Sequence, residues 1–157
     1  MICLYRVDDR LIHGQVQTTW IASTGTQAIL IIDDKTKDDI IAQQILKAVK
    51  PPGISLKTVS EGEALAALEE ALESPKQTMV LFKELETAGR LAKQGYTFDA
   101  LNIGPVSAKT GAKSVGRNAH LTEAEMEVAD DLSAAGVAVY LQLTPDMKKT
   151  TWDKVKK

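Results

Sequence analysis

Ala28-Ile29-Leu30-Ile31-Ile32-Asp33-Asp34 is an unbroken run of strand-forming apolar residues that ends abruptly in two acids. A strand with one wet face alternates apolar and polar residues, whereas a strand covered on both faces reads as a continuous run. Outward from it, comparable runs recur at Met1 to Val7, Ile54 to Val59, Thr78 to Phe82, Ala100 to Ile103 and Val137 to Leu143. Segments of helical period fall between them, at Gln15 to Ala22, Lys37 to Val49, Glu61 to Glu73, Glu84 to Gln94 and Glu123 to Ala135. This alternation predicts an α/β fold, a single open, mostly parallel sheet with helices on both faces.

Local chemistry sets the boundaries. Pro51, Pro52 and Gly53 close the second helix, Ser60 can cap the third, and Thr122 with Glu125 forms a capping box before the fifth, which Gly136 then stops. The stretch from Pro105 to His120 has no sustained period and reads as a loop, with room for one short extra strand near its end. Met147 to Lys157 carries five lysines with Trp152 and reads as a short docking helix, its tryptophan pinning the tail. Trp20 falls on the apolar face of the first helix and is expected in the core; His120, just before a helix, is expected to be structural. With no repeat or linker, residues 1–157 are expected to be one domain.

Bulk properties narrow the function. The chain has 157 residues, 44% hydrophobic and 25% charged, enough for a core that needs no staples. Its one cysteine, Cys3, cannot form an internal disulfide and reads as a small buried hydrophobe, which suits a reducing compartment. Nineteen basic against twenty-one acidic side chains leave a net charge of -2, so nucleic acid and anionic membrane are not expected partners. No run approaches the roughly 20 apolar residues of a membrane span, and the N-terminus lacks a signal-peptide pattern, so a cytoplasmic protein is expected.

In open α/β sheets ligands bind beyond the carboxyl ends of the strands. No Gly-rich nucleotide loop stands at any such end. The loop after the first strand instead holds Arg6, Asp8, Asp9, Arg10, His13 and Gly14 before a helix begins. A neutral imidazole offers one nucleophilic nitrogen near pH 7. The amides at the helix start and an arginine fork suit an anion, so His13, Arg10 and the helix start fit a phosphohistidine. The same residues also suit surface ion pairs around a structural histidine.

Arg6-Val7-Asp8-Asp9-Arg10-Leu11-Ile12-His13-Gly14-Gln15-Val16 resembles the active-site signature of the IIB component of mannose-family sugar phosphotransferase systems, which include the mannose, fructose, sorbose and N-acetylgalactosamine branches. Ile31-Ile32-Asp33-Asp34, Leu101-Asn102-Ile103-Gly104, Leu121-Thr122-Glu123, Gly136-Val137-Ala138-Val139 and Pro145 follow in the family's order. The resemblance implies a protein-phosphohistidine–sugar phosphotransferase subunit. His13 would accept a phosphoryl group on Nδ1 from a IIA histidine and pass it to a sugar held by the membrane components IIC and IID. It further implies that Arg10 and Arg6 neutralise phosphoryl charge, and that amides around Gly14 and Gln15 hold its oxygens. Asp8 and Gly104 are expected to line the site, and Asp33 and Asp34 either to cap the next helix or to line the site as well. Neither a cofactor nor a metal is expected, and the protein would sit at the membrane permease complex without entering the bilayer. Where many members have a second glycine, Gly104 is followed here by Pro105 and a basic stretch through Arg117; Lys109, Lys113 and Arg117 there are open to docking or, as the favoured reading, to solvation, and Lys83 at the fourth strand end stands where it could border the phosphate.

Two other readings compete. A receiver-like regulatory domain would use an acid pair such as Asp33 and Asp34, but Thr78 to Glu84 provides no phosphoacceptor aspartate at its strand end. A noncatalytic flavodoxin-like module would use the same Arg and His loop to grip an anion without chemistry.

Overall fold

The computed structural model describes residues 1–14 and 16–155, with only the backbone of residues 17 and 18. In chain order the elements are β1 (Ile2–Val7), a π-helical turn (Val16–Trp20) running into α1 (Ile21–Thr24), β2 (Ala28–Ile32), α2 (Asp34–Asp38), α3 (Ile40–Val49) and β3 (Ser55–Val59). There follow α4 (Glu61–Glu73), β4 (Thr78–Phe82), α5 (Leu85–Lys93), β5 (Ala100–Ile103), a hairpin of β6 (Lys113–Gly116) and β7 (Ala119–Leu121), α6 (Glu123–Ala134), β8 (Ala138–Leu141), β9 (Thr150–Thr151) and α7 (Trp152–Val155).

The main sheet runs β3-β2-β4-β1-β5-β8-β9. All its pairs are parallel except β8 with the short edge strand β9. Period-two alternation splits the apolar runs between two cores. Leu30, Ile32, Val80, Phe82 and Val7 face a cluster with α4, α5 and α6, while Ile29, Ile31, Met79, Leu81 and Leu4 face one with Trp20 and Leu46. Ile31, Leu81 and Phe82 are fully enclosed. Each such side chain contributes about 1.5–3 kcal/mol over leaving it in water, which is why the middles of β2 and β4 are wholly apolar.

Two expected helices differ in detail. The second breaks at Asp39, whose extended backbone ends α2 and whose carboxylate accepts from Ala42 N (2.9 Å) to start α3. The first starts as a π-helical turn, a form that recurs at functional sites. Both capping boxes form, at Ser60 with Glu63 and at Thr122 with Glu125. The loop after Pro105 holds a complete hairpin in place of a single strand, with Asn118 in the left-handed region at its turn (φ 60°). The tail after β8 folds into β9 and α7, where Trp152 is buried and donates to Asp130 Oδ1 (2.8 Å). Among the described residues no helix is long and apolar enough to cross a membrane.

β1 lies at the centre, and its chain leaves toward β2 on one side, whereas its neighbour β5 leads away to β8 on the other. Chains that diverge in this way open a crevice at the carboxyl ends. Val7, the last residue of β1, pairs with Phe82 and Ile103 at that edge.

Candidate functional site

The loop leaving β1 is shaped by its own backbone bonds. Asp8 N donates to Phe82 O (2.9 Å) and Asp9 N to Pro105 O (3.1 Å), which ties the loop to both neighbouring strands. Leu11 N returns to Asp8 O (3.0 Å), and Arg10 N donates to Asp8 Oδ1 (2.9 Å), closing a tight Asx-type turn. Leu11 takes a left-handed conformation (φ 55°), costing about 1–2 kcal/mol for a non-glycine residue. Its burial with Ile12, each 5% exposed, offsets that strain. The reversal brings His13 back over Asp8.

His13 Nε2 lies 2.7 Å from Asp8 Oδ2. A carboxylate only accepts, so Nε2 carries the hydrogen and the lone pair of a neutral ring resides on Nδ1. Asp8 is fully buried, and behind it Arg6 Nη2 approaches Oδ2 at 3.4 Å. Arg6 is also 0% exposed. Its fork reaches the Asn102 side-chain oxygen, Gln142 O (3.2 Å) and Leu143 O (3.3 Å), and its plane lies over the Trp20 ring at 4.9 Å. Burial pushes the Arg6 guanidinium below its ordinary value, against which the Asp8 charge pulls upward. Trp20 Nε1 and Asn102 Nδ2 take the Leu143 and Gln142 carbonyls as well (2.9 and 3.2 Å), so β5 and the end of β8 hold the arginine rigidly.

The expected phosphate-facing role of Arg6 is therefore corrected. With no exposed surface and both terminal nitrogens engaged by carbonyls, Asn102 and Asp8, it sits behind the histidine and fixes Asp8. Gly104 borders the site through the same residue, since a Cβ there would lie 2.5 Å from the Arg6 Cζ. Asp33 and Asp34 go elsewhere. Asp33 caps α2, accepting from Thr36 N and Oγ1 (3.0 and 2.7 Å), and Asp34 accepts from Glu61 N (2.7 Å); neither is bonded to the His13–Asp8–Arg6 chain.

Arg10 is exposed and shares a cleft of about 380 Å³ with Pro105, Ser107, Asn118 and His120. Ser107 N anchors this rim on Asp9 Oδ2 (2.6 Å), and the His120 Nδ1 faces Val106 O at 3.4 Å. Gly14 is exposed, and a Cβ on it would meet nothing within 4 Å. Gln15, expected among the phosphate-holding residues, lies outside the described residues. Lys109 pairs with Glu125 at 2.9 Å, and Lys83 lines a separate recess with Asp9 and Glu84. Trp20 is buried as expected but also stacks on Arg6; Cys3 is only half-buried, 3.4 Å from Thr26 Oγ1. Asn102, Gln142 and Leu143 did not stand out as site residues in the sequence. Period two places Arg6 on the Leu4 face of β1, the one hint the sequence carries, but with both faces of the sheet covered it does not say what the guanidinium meets.

A flavodoxin-like α/β domain with a histidine loop at the carboxyl end of its central strand is the class that fold and site define. More narrowly, the chain belongs to the sorbose-subfamily IIB components of the phosphotransferase system, whose family model matches residues 2–157. It is 30% identical over 142 residues to the sorbose-specific EIIB component of Klebsiella pneumoniae, covering 90% of this chain and 87% of that protein. The crystal structure of the IIBSor domain of the sorbose permease from that organism superposes with a TM-score of 0.90 at 28% identity, covering 99% of this chain and 96% of that one. The mannose-specific EIIAB component of Escherichia coli strain K12 is 27% identical over 158 residues, and this chain spans 49% of its length.

Proposed function

We propose that this chain is a phosphoryl carrier that accepts a phosphoryl group on His13 Nδ1 from a phosphohistidine of a IIA partner. It then passes the group to a sugar held by the membrane components IIC and IID, working at the cytoplasmic side of that complex. The observation that carries this reading is the 2.7 Å contact of His13 Nε2 with Asp8, which leaves Nδ1 as the nucleophile. Family membership and the occurrence of a fused EIIAB relative support the IIA partner.

In the forward step the Nδ1 lone pair attacks phosphorus, the donor's P–N bond breaks, and its electrons return to the donor imidazole. The His13 ring, still protonated on Nε2, gains positive charge. Asp8 stabilises that charge without taking the proton, while Arg6 keeps Asp8 in place. Arg10 at the mouth of the loop supplies charge to the phosphoryl oxygens in transit, joined by amides at the start of the helix. Positioning and electrostatics suffice for such a transfer. In the second step a sugar hydroxyl attacks phosphorus and the electrons of the P–N bond return to Nδ1.

The test is incubation with a phosphorylated phosphotransferase cascade. An acid-labile, base-stable adduct that is lost in His13→Ala is the expected result. A base-labile adduct, marking an acyl phosphate, overturns the reading in favour of a receiver-like domain, and no adduct favours a noncatalytic anion-binding module.

A further inference from the structure

Beside the histidine loop, at the carboxyl ends of β5 and β8, lies a groove of about 590 Å³ between the β6–β7 hairpin and the tail. Pockets of this size accommodate small organic molecules. Ile103, Leu141 and Leu143 contribute apolar surface, and Arg117, Lys148 and Lys154 line it with charge. No acidic side chain is among the lining residues. All three cations are exposed; among the described residues Arg117 and Lys148 pair with no carboxylate and Lys154 faces only the charge of its exposed neighbour Asp153, whereas Lys37, Lys57, Arg90 and Lys109 elsewhere each hold a salt bridge. Like charges brought together around one concavity repel unless an anion lies between them. The wall is closely packed. A Cβ on Gly116 would come within 2.6 Å of Leu141 Cδ2, so a larger residue there would push the Leu141 side chain that forms part of the floor.

We infer that this groove is a binding site for a small organic phosphomonoester, its phosphate held by Arg117, Lys148 and Lys154 and its carbon body laid on the apolar floor. A phosphate dianion answers three cations lining one groove better than a single carboxylate does, and an arginine fork matches its oxygens. The site is separate from His13, from which the Arg6 clamp on Gln142 and Leu143 divides it.

The experiment is an amide NMR titration of the whole chain with glucose 6-phosphate, inorganic phosphate and glucose in turn. Saturable shifts at Gly104, Gly116 and Leu143 with glucose 6-phosphate are expected, weakened about tenfold or more in the variant Arg117→Gln/Lys148→Gln/Lys154→Gln and by added salt. Competition by inorganic phosphate at the same amides supports the phosphate as the anchor; equal binding of glucose overturns it. Shifts confined to Arg10 and His13, shifts that persist in the triple variant, or none at all also overturn the inference, as does saturation by an acidic peptide but not by glucose 6-phosphate. The single variants Lys148→Gln and Lys154→Gln, each expected to weaken binding in part, provide the same reading should the triple variant unfold. Phosphoryl acceptance by His13 is measured on the same samples, so a failure of the groove is distinguishable from a failure of the carrier function.

Discussion

At the scale of single residues, the site depends on a chain of buried charge in which each member fixes the next. Asp8→Asn keeps the shape but replaces the acceptor oxygen facing His13 with a group that can turn its amide toward the ring. The ring is then free to present the wrong tautomer, and the rate of phosphoryl acceptance in a stopped assay is expected to fall by about 10²- to 10⁴-fold. Gly104→Ala acts one step further back. Its methyl would occupy the space of the Arg6 guanidinium, so urea unfolding should show a loss of about 1–3 kcal/mol, with slower phosphoryl acceptance. Gly14→Ala is the informative contrast. Among the described residues none crowds a methyl there, so stability measured by urea should hold while any slowing of transfer reports contact with the docked partner.

Among the elements, β1 carries a second device on its opposite face, where the Tyr5 and Tyr96 hydroxyls meet at 2.5 Å. Burial, with the Tyr96 contact, pushes the Tyr5 phenol far above its ordinary value, and burial raises Tyr96 as well. The folded protein therefore keeps protons that the unfolded chain releases near pH 10. Stability should be intact below about pH 10 and fall as pH rises beyond it, a decline that Tyr5→Phe should flatten in thermal melts taken across that range. Strands β2 and β4 were readable from sequence because, covered on both faces, their middles hold only apolar residues. The break at Asp39 was not, since aspartate there also fits a helix surface and only its extended backbone ends α2. The hairpin escaped too, because Lys113-Ser114-Val115-Gly116 has neither an apolar run nor alternation to announce it. His13 and Asp8 could be placed in the loop, but the inward turn of Arg6 depends on carbonyls at Gln142 and Leu143 that lie more than a hundred positions away.

For the molecule as a whole, strand order matters more than strand composition. β1 is first in the chain yet finds both neighbours late, in β4 and β5, and Arg6 closes only on the segment after β8. Pairings of such long range form slowly and late in folding. Pulse-labelling hydrogen exchange should accordingly show β2 and β3, with their adjacent pairing, protected before the Asp8 and Leu11 amides. The Arg6 grip on Gln142 and Leu143 thus ties the loop to a segment translated much later. A nascent chain still short of residue 143 holds His13 and Asp8 but not the carbonyls that seat Arg6 behind them, so the loop reaches its final geometry only after the segment beyond β8 has been made and packed.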